Sequence, residues 1–344
     1  MIKDAITIRN TKMAFRGLAV AGALLSSTAH ASGGLGLLWQ NASTGVLSAW
    51  MLSGATVTGT QTLSEPCGPA NKCSPPWNTV QTSGNTILWD NRTAGSVGAG
   101  QLGYWTFDTY GNVTVEPSLA HTCLPGAGCG TASDRPIGYV TLNLPSSDCP
   151  GGQSLTPCTY QGILWVDPGN DGVVVWNMSN QRLGATAPGD SSSIDVPLTY
   201  SFGSDAGTAL PGQAVLTADF NGDGNTDILW FNQATGLVSV SLLSGNVVSE
   251  RNFGLLGTQD LSWLCPAASC SSQWTIVGAA DVNGDGHVDL TWFNATTGQV
   301  SSWLLDGKGN VMGTQLLSRT CSTAQGCAPP SRVLGYVNFP SVIQ

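Results

Sequence analysis

Basic residues are scarce in this chain: 12 Lys+Arg stand against 21 Asp+Glu among 344 residues, a formal net charge of −9. An excess of this sign argues against nucleic acid as a partner, because nothing is available to replace phosphate counterions. Long apolar runs are missing too, which excludes a membrane-spanning helix, and no stretch carries the periodicity of a long amphipathic helix. Histidine occurs three times. No Gly-x-Ser-x-Gly elbow, phosphate-binding glycine loop or His-Glu-x-x-His motif appears. Acids such as Asp90, Asp108, Asp134, Asp167, Asp190, Asp195 and Asp205 are sparse, and no spacing among them singles out a glycosidase pair. The expectation is a protein that is not an enzyme.

Residues 1–31 read as a signal peptide. Lys3, Arg9, Lys12 and Arg16 form a basic start, "GLAVAGALL" is a short apolar core, and "AHA" before Ser32 resembles a cleavage site. A secreted, periplasmic or cell-surface location follows, with residues 32–344 as one mature domain. Setting aside the four basic residues and one acid of the leader leaves 8 Lys+Arg against 20 Asp+Glu, and of the histidines only His121 and His287.

The ten cysteines all lie beyond the leader, as an oxidising compartment predicts. They fall in close pairs: Cys67 and Cys73, Cys123 and Cys129, Cys149 and Cys158, Cys265 and Cys270, Cys321 and Cys327. Zinc is disfavoured by the lack of Cys-x-x-Cys spacing and of nearby histidines. Five local bridges are the simple reading, each contributing about 2 kcal/mol at most through chain entropy.

Glycine is abundant, at 44 residues, and much of it separates short β-rich pieces. The pieces repeat. "LLW" at Trp39 recurs as "ILW" at Trp89, Trp165 and Trp230 and as "LTW" at Trp292, with a second tryptophan eleven residues on at Trp50, Trp176 and Trp303. The fullest unit runs "WTIVGAADV", acidic loop, "VDLTWFN", the turn "ATTG", "QVSSWLL", the turn "DGKGN" and "VMGTQLLS". Four strands per unit, repeated, is the pattern of a β-propeller blade. The final strand "RVLGYVNF" lacks a successor and the first unit lacks a predecessor, so the two ends complete one blade. The predicted fold is an all-β propeller of five four-stranded blades closed by its termini, with blades near 333–344 plus 35–64, 77–119, 136–200, 212–256 and 274–318.

Two units hold an acidic loop, "DFNGDGNTDILWFN" at 219–232 and "DVNGDGHVDLTWFN" at 281–294. With the Thr-Gly turn that follows, these stretches resemble the FG-GAP/VCBS type of repeat, related to the calcium loops of integrin α-chain propellers. Integrin propellers have seven blades, so blade and loop are carried over but not blade number. Calcium takes six to eight oxygens. Asp219, Asn221, Asp223 and Asp227 occupy positions one, three, five and nine, with the carbonyl of Asn225 at seven. The second set is Asp281, Asn283, Asp285, the carbonyl of His287, and Asp289. An EF-hand is excluded because position twelve is Trp230 or Trp292 rather than a bidentate Glu, and because the flanks read as strands. Two Ca²⁺ sites are expected.

The resemblance and the missing catalytic motifs imply a secreted, non-catalytic binding or adhesion module, with lectin-like carbohydrate binding or a surface protein as partner. The alternative is a calcium-dependent polysaccharide lyase or hydrolase on the same scaffold. Of the twelve tryptophans, those that recur at one blade position are expected to pack between blades. Trp105 and Trp263 fit the repeat least well and are the candidate ligand-binding aromatics.

Overall fold

A computed structural model of the chain describes residues 34–41, 44–64, 77–91, 101–115, 135–146, 157–167, 172–177, 198–201, 211–249, 252–262, 273–321 and 331–340. The predicted leader lies outside them, as do Trp263 and eight of the ten cysteines. Within the described residues run twenty strands. The first seven are β1 (Leu35–Asn41), β2 (Leu47–Ser53), β3 (Thr56–Thr62), β4 (Trp77–Ser83), β5 (Thr86–Asn91), β6 (Gln101–Phe107) and β7 (Val113–Val115). Next come β8 (Arg135–Leu144), β9 (Cys158–Asp167), β10 (Gly172–Asn177), β11 (Leu198–Ser201), β12 (Gln213–Ala218), β13 (Asp227–Asn232), β14 (Leu237–Ser249) and β15 (Asn252–Asp260). The last are β16 (Trp274–Ala280), β17 (Asp289–Asn294), β18 (Val300–Leu305), β19 (Val311–Leu316) and β20 (Ser331–Asn338). No helix among these residues is long and apolar enough to cross a membrane.

The strands form an all-β propeller of four sheets. One sheet is closed by the two ends of the fold, in the order β20-β1-β2-β3, as the incomplete first and last units predict. Two more are the four-stranded meanders β4 to β7 and β16 to β19. The expectation of five four-stranded blades is overturned by the fourth sheet, which has eight strands. Stretches 136–200 and 212–256 merge because the outer strands β11 and β15 pair in parallel through Thr199 and Asn252. An outer strand exposes unpaired N–H and C=O groups, and two such edges within reach satisfy one another.

The innermost strands β4, β8, β12, β16 and β20 neighbour one another in that cyclic order around a central channel. Each carries an irregularity at the same place. Thr79, Pro136, Ala214, Ile276 and Val333 stand opposite Trp89, Trp165, Trp230, Trp292 and Trp39, and one residue is then skipped before pairing resumes. The skipped residue is aliphatic every time: Val80, Ile137, Val215, Val277 and Leu334. A bulge raises the local twist, and here it recurs in every strand that lines the channel.

The five recurring tryptophans are core residues, none more than 2% exposed. Position i+11 lies on the next strand, two residues along on the same face, so the second tryptophan packs diagonally on the first. Ring centroids are 4.5 Å apart for Trp39 and Trp50 and 4.9 Å for Trp292 and Trp303. Where Ser241 replaces the second tryptophan, Trp230 Nε1 donates to its hydroxyl at 2.9 Å. Successive units also meet edge-on: Phe231 packs on Trp292 at 5.5 Å, and Phe293 packs on Trp39 at 5.4 Å.

Turns follow the sequence pattern closely. In "NASTG", "NQATG" and "NATTG" the Asn side chain accepts backbone N–H groups of the turn, and the Gly N–H returns to the Asn carbonyl. Gly45, Gly236 and Gly298 hold φ between 72° and 75° there, a region costly for residues with a Cβ.

A second repeated device fastens neighbouring units. The Leu-Ser pairs at 63–64, 261–262 and 317–318 end the outer strands. Ser64, Ser262 and Ser318 donate their N–H to the carbonyls of Gly111, Gly309 and Ala55 in the next unit's turn. Their hydroxyls accept the N–H of Val113, Val311 and Val57 at 2.8–2.9 Å.

The five predicted local disulfides do not stand as a feature of the described fold. Each pair has at least one member outside the described residues. Cys158 opens β9 and is disulfide-bonded, Cys321 is buried after β19, and no bridge joins two described cysteines.

Replacing Ser64, Ser262 and Ser318 with Ala removes one accepted N–H bond per junction. Each single change is expected to cost about 0.5–1 kcal/mol, and the three to add because the sites share no partner, read as denaturant midpoints.

Candidate metal centre

Both acidic loops connect an innermost strand to the strand bearing the recurring tryptophan. They are alike bond by bond. Asp219 Oδ1 accepts the N–H of Gly222 and Asp223, and its Oδ2 that of Gly224. Asp281 does the same for Gly284, Asp285 and Gly286. Asp223 accepts the Asn225 N–H at 2.7 Å and the Asn221 amide at 3.0 Å. Asp285 accepts the His287 N–H at 2.9 Å and the Asn283 amide at 2.8 Å. Gly222, Gly224, Gly284 and Gly286 sit at φ of 76° to 88°, which lets consecutive N–H groups turn inward on the first aspartate.

The ninth positions differ in kind from the rest. Asp227 and Asp289 are 0% exposed. Asp227 Oδ2 accepts the Phe220 N–H at 2.9 Å, and Oδ1 accepts the Leu243 N–H from β14 at 3.0 Å. Asp289 repeats this with Val282 and Leu305, both at 3.0 Å. These carboxylates pin the loop to the third strand of the unit. Leu243 and Leu305 were not legible as partners, since they lie sixteen residues away and act through backbone N–H groups that any residue supplies.

The electrostatics follow from burial. Desolvation pushes the Asp227 carboxyl up to about 7, against the pull of its two N–H donors, with Asp223 and Asp219 adding like-charge repulsion. Burial raises Asp289 as well, with Asp285 as its like-charged neighbour. Asp285, exposed to solvent, is held below the ordinary range by the His287 N–H and the Asn283 amide.

The loops differ in their surroundings. In the first, Asn225 Oδ1 accepts the Asn143 N–H at 2.8 Å, the Asn143 amide donates to the Gly224 carbonyl at 2.9 Å, and Thr141 and Thr226 exchange two further bonds. That loop is strapped to β8. In the second, the His287 ring lies against Gly307 of its own unit. Asn143 and Thr141 escaped sequence reasoning because the contact joins segments about eighty residues apart.

Among the described residues no three Asp, Glu, His or Cys side chains converge as a set that would hold a metal ion. The donor chemistry nonetheless suits a hard cation, all oxygen, with three carboxylates among the five donors of each loop. Each carboxylate offers about four lone-pair sites, and Asp223, Asp227, Asp285 and Asp289 each accept only two of the bonds described above. Holding calcium would require the exposed Asp223 and Asp285 to turn toward their buried partners.

Of the two candidate ligand-binding aromatics, Trp105 is 2% exposed and packs on Trp89 at 5.4 Å. It belongs to the core, because the insertion before it leaves its strand position unchanged. Trp263 lies outside the described residues.

Residues 219–292, which contain both acidic loops, match the FG-GAP-like repeat family. No curated protein matches the chain by sequence. Several solved structures resemble it distantly. A protein provisionally assigned as a 6-phosphogluconolactonase from Bacteroides fragilis is 13% identical, with 84% of this chain and 83% of that one covered at a TM-score of 0.39. A chain of a nidogen/laminin complex is 13% identical, covering 88% and 98% at 0.36. The Cps50 (Swd1) β-propeller domain of Myceliophthora thermophila is 8% identical, covering 83% and 86% at 0.32. Likenesses this distant carry no argument about activity.

Asp227→Ala strands two buried N–H groups and is expected to cost roughly 3 kcal/mol in chelator, before any loss of bound calcium is added. Asp223→Ala, at an exposed position, should leave stability in chelator almost unchanged; equal losses for the two would contradict the division drawn here. In metal-free buffer the raised Asp227 carboxyl sets the sign of one pH dependence. Its contribution is fully present below the ordinary aspartate range near 4 and is lost as pH rises through about 7. Denaturant midpoints of wild type should therefore fall over that window more than those of Asp227→Asn.

Proposed function

We propose that this chain is a secreted, calcium-binding β-propeller that acts as a non-catalytic binding or adhesion module directed at carbohydrate. The observation that carries the reading is the bond-by-bond identity of the two acidic loops. Turn formation alone asks for Asx and Gly residues, but it does not ask for three carboxylates at fixed odd spacing in both copies. The neighbouring carboxylates add to the raised proton affinity of the buried Asp227 and Asp289, and a bound divalent cation relieves that repulsion. The structural gain is local: calcium would tie an inner strand to its neighbour at the point where Asp227 and Asp289 already hold the third strand. The residues that would hold it are Asp219, Asn221, Asp223 and Asp227, with the Asn225 carbonyl, and Asp281, Asn283, Asp285 and Asp289, with that of His287.

An ion bound only by the folded state stabilises by mass action, about 2.7 kcal/mol at one hundred times its dissociation constant. Millimolar calcium added to chelated protein is expected to raise the melting temperature by several degrees, and the double variant Asp223→Ala, Asp285→Ala to abolish the rise. A melting curve indifferent to calcium would remove the metal from the reading. Immobilised protein screened on a glycan array tests the carbohydrate part.

A further inference from the structure

At the end of the channel remote from the acidic loops, the innermost strands begin. There lies a cavity of about 330 Å³, and it shares Thr79, Val80, Val215 and Ile276 with a second of about 200 Å³ deeper in the channel. Binding pockets for small molecules start near 300 Å³, so the outer cavity holds one sugar-sized ligand rather than a long chain.

Its walls are two-sided. One residue before each tryptophan-facing position, the five inner strands carry Asn78, Arg135, Gln213, Thr275 and Arg332. All five are polar, although the strands beside them are largely aliphatic. Arg135 on β8 lines this outer cavity and Arg332 on β20 lines the deeper one, and the two strands flank β4, which bears Asn78. Asn78 pairs in register with Asp90 of β5, which is only 6% exposed at the cavity wall. On β13 and β16, Phe231 and Trp274 supply the aromatic part of the lining. Both guanidinium groups are held in place: Arg332 Nε donates to Gln40 at 2.6 Å, and Arg135 Nη2 donates to the Ala214 carbonyl at 3.3 Å. Groups fixed before binding lose little freedom on binding.

A pyranose ring has apolar C–H faces and a polar rim, so it calls for an aromatic wall on one side and donors with a carboxylate on the other. The outer cavity sets Arg135 beside Asp90, and Arg332 of the deeper cavity brings this end of the channel to two arginines against one aspartate, in a chain whose formal net charge is −9. A recessed positive patch concentrates anions. We propose that this channel mouth is the ligand site and that it takes a single acidic sugar residue, a uronic acid unit, with its ring on Trp274 and Phe231 and its carboxylate toward Arg135 and Arg332. The assignment rests on the carbohydrate-binding reading above and gives it a place and a substrate class.

The test uses methyl glucuronoside and methyl galacturonoside beside their neutral counterparts, with binding followed by saturation-transfer NMR and calorimetry on the whole protein. Gln213→Trp places bulk at an exposed position of the mouth, and Gln161→Trp does the same in a separate crevice of about 360 Å³ beside Tyr104 and Tyr139. Thermal melts serve as the check that each variant folds. The expected result is uronoside binding weakened at least tenfold by Gln213→Trp and untouched by Gln161→Trp, with Arg135→Gln erasing the preference over neutral sugars. Uronoside binding unaffected by Gln213→Trp, or lost in Gln161→Trp, overturns the channel mouth and leaves the carbohydrate reading standing. Binding of neutral sugars alone overturns the acidic class. No binding of any glycoside to wild type, together with a blank glycan array, overturns site and reading together.

Discussion

The edge-on contact between a phenylalanine of one unit and the tryptophan of the next governs how this ring holds together. It occurs as Phe231 on Trp292 and again as Phe293 on Trp39. The second instance joins the last complete unit to the first. At these two junctions neighbouring sheets thereby bury a face against one another, and an open ring would leave the tryptophans there in water. Closure through β20 and β1 is the topological answer to that apolar surface. The Leu-Ser fasteners at the periphery and the bulges at the channel adjust the same packing from outside and inside.

Within that ring the acidic loops have two separable duties. Asp227 and Asp289 are buried and spend their oxygens on backbone N–H groups of the loop and of the third strand, so they belong to the fold whether or not an ion is near. Asp223 and Asp285 face solvent and bond only within the loop. A buried carboxylate with a raised proton affinity is a cost that the two N–H donors offset in part, and a cation would offset more. The first loop is further strapped to β8 through Asn143, which should make it the stiffer of the two.

Much of this was legible in the sequence because it rests on local periodicity. The tryptophan at one strand position, the partner at i+11, the Asn-x-x-Thr-Gly turns and the closure by incomplete first and last units all follow from short patterns, and the structure shows each of them. The parallel pairing of Thr199 with Asn252 was not legible, since a strand edge carries no side-chain signature of the edge it will meet. Trp105 misled for a related reason: an insertion altered its spacing in the chain but not its register, and it remained core. The polar ring at the channel mouth escaped because its members are ordinary residues, Asn, Arg, Gln, Thr and Arg, made equivalent only by symmetry around the axis. Whether the loop acids gather round an ion depends on side-chain rotations that spacing does not specify.

The register of the closing pair has a mechanical side. Leu35 faces Asn338 and Asn41 faces Ser331, so the chain enters β1 and leaves β20 at the same end of the ladder. A load drawing those two ends apart would open the rungs one after another, as a zipper opens, and would not shear them all at once. If this protein is tethered at its ends, the weak seam under tension is the one that completes the ring.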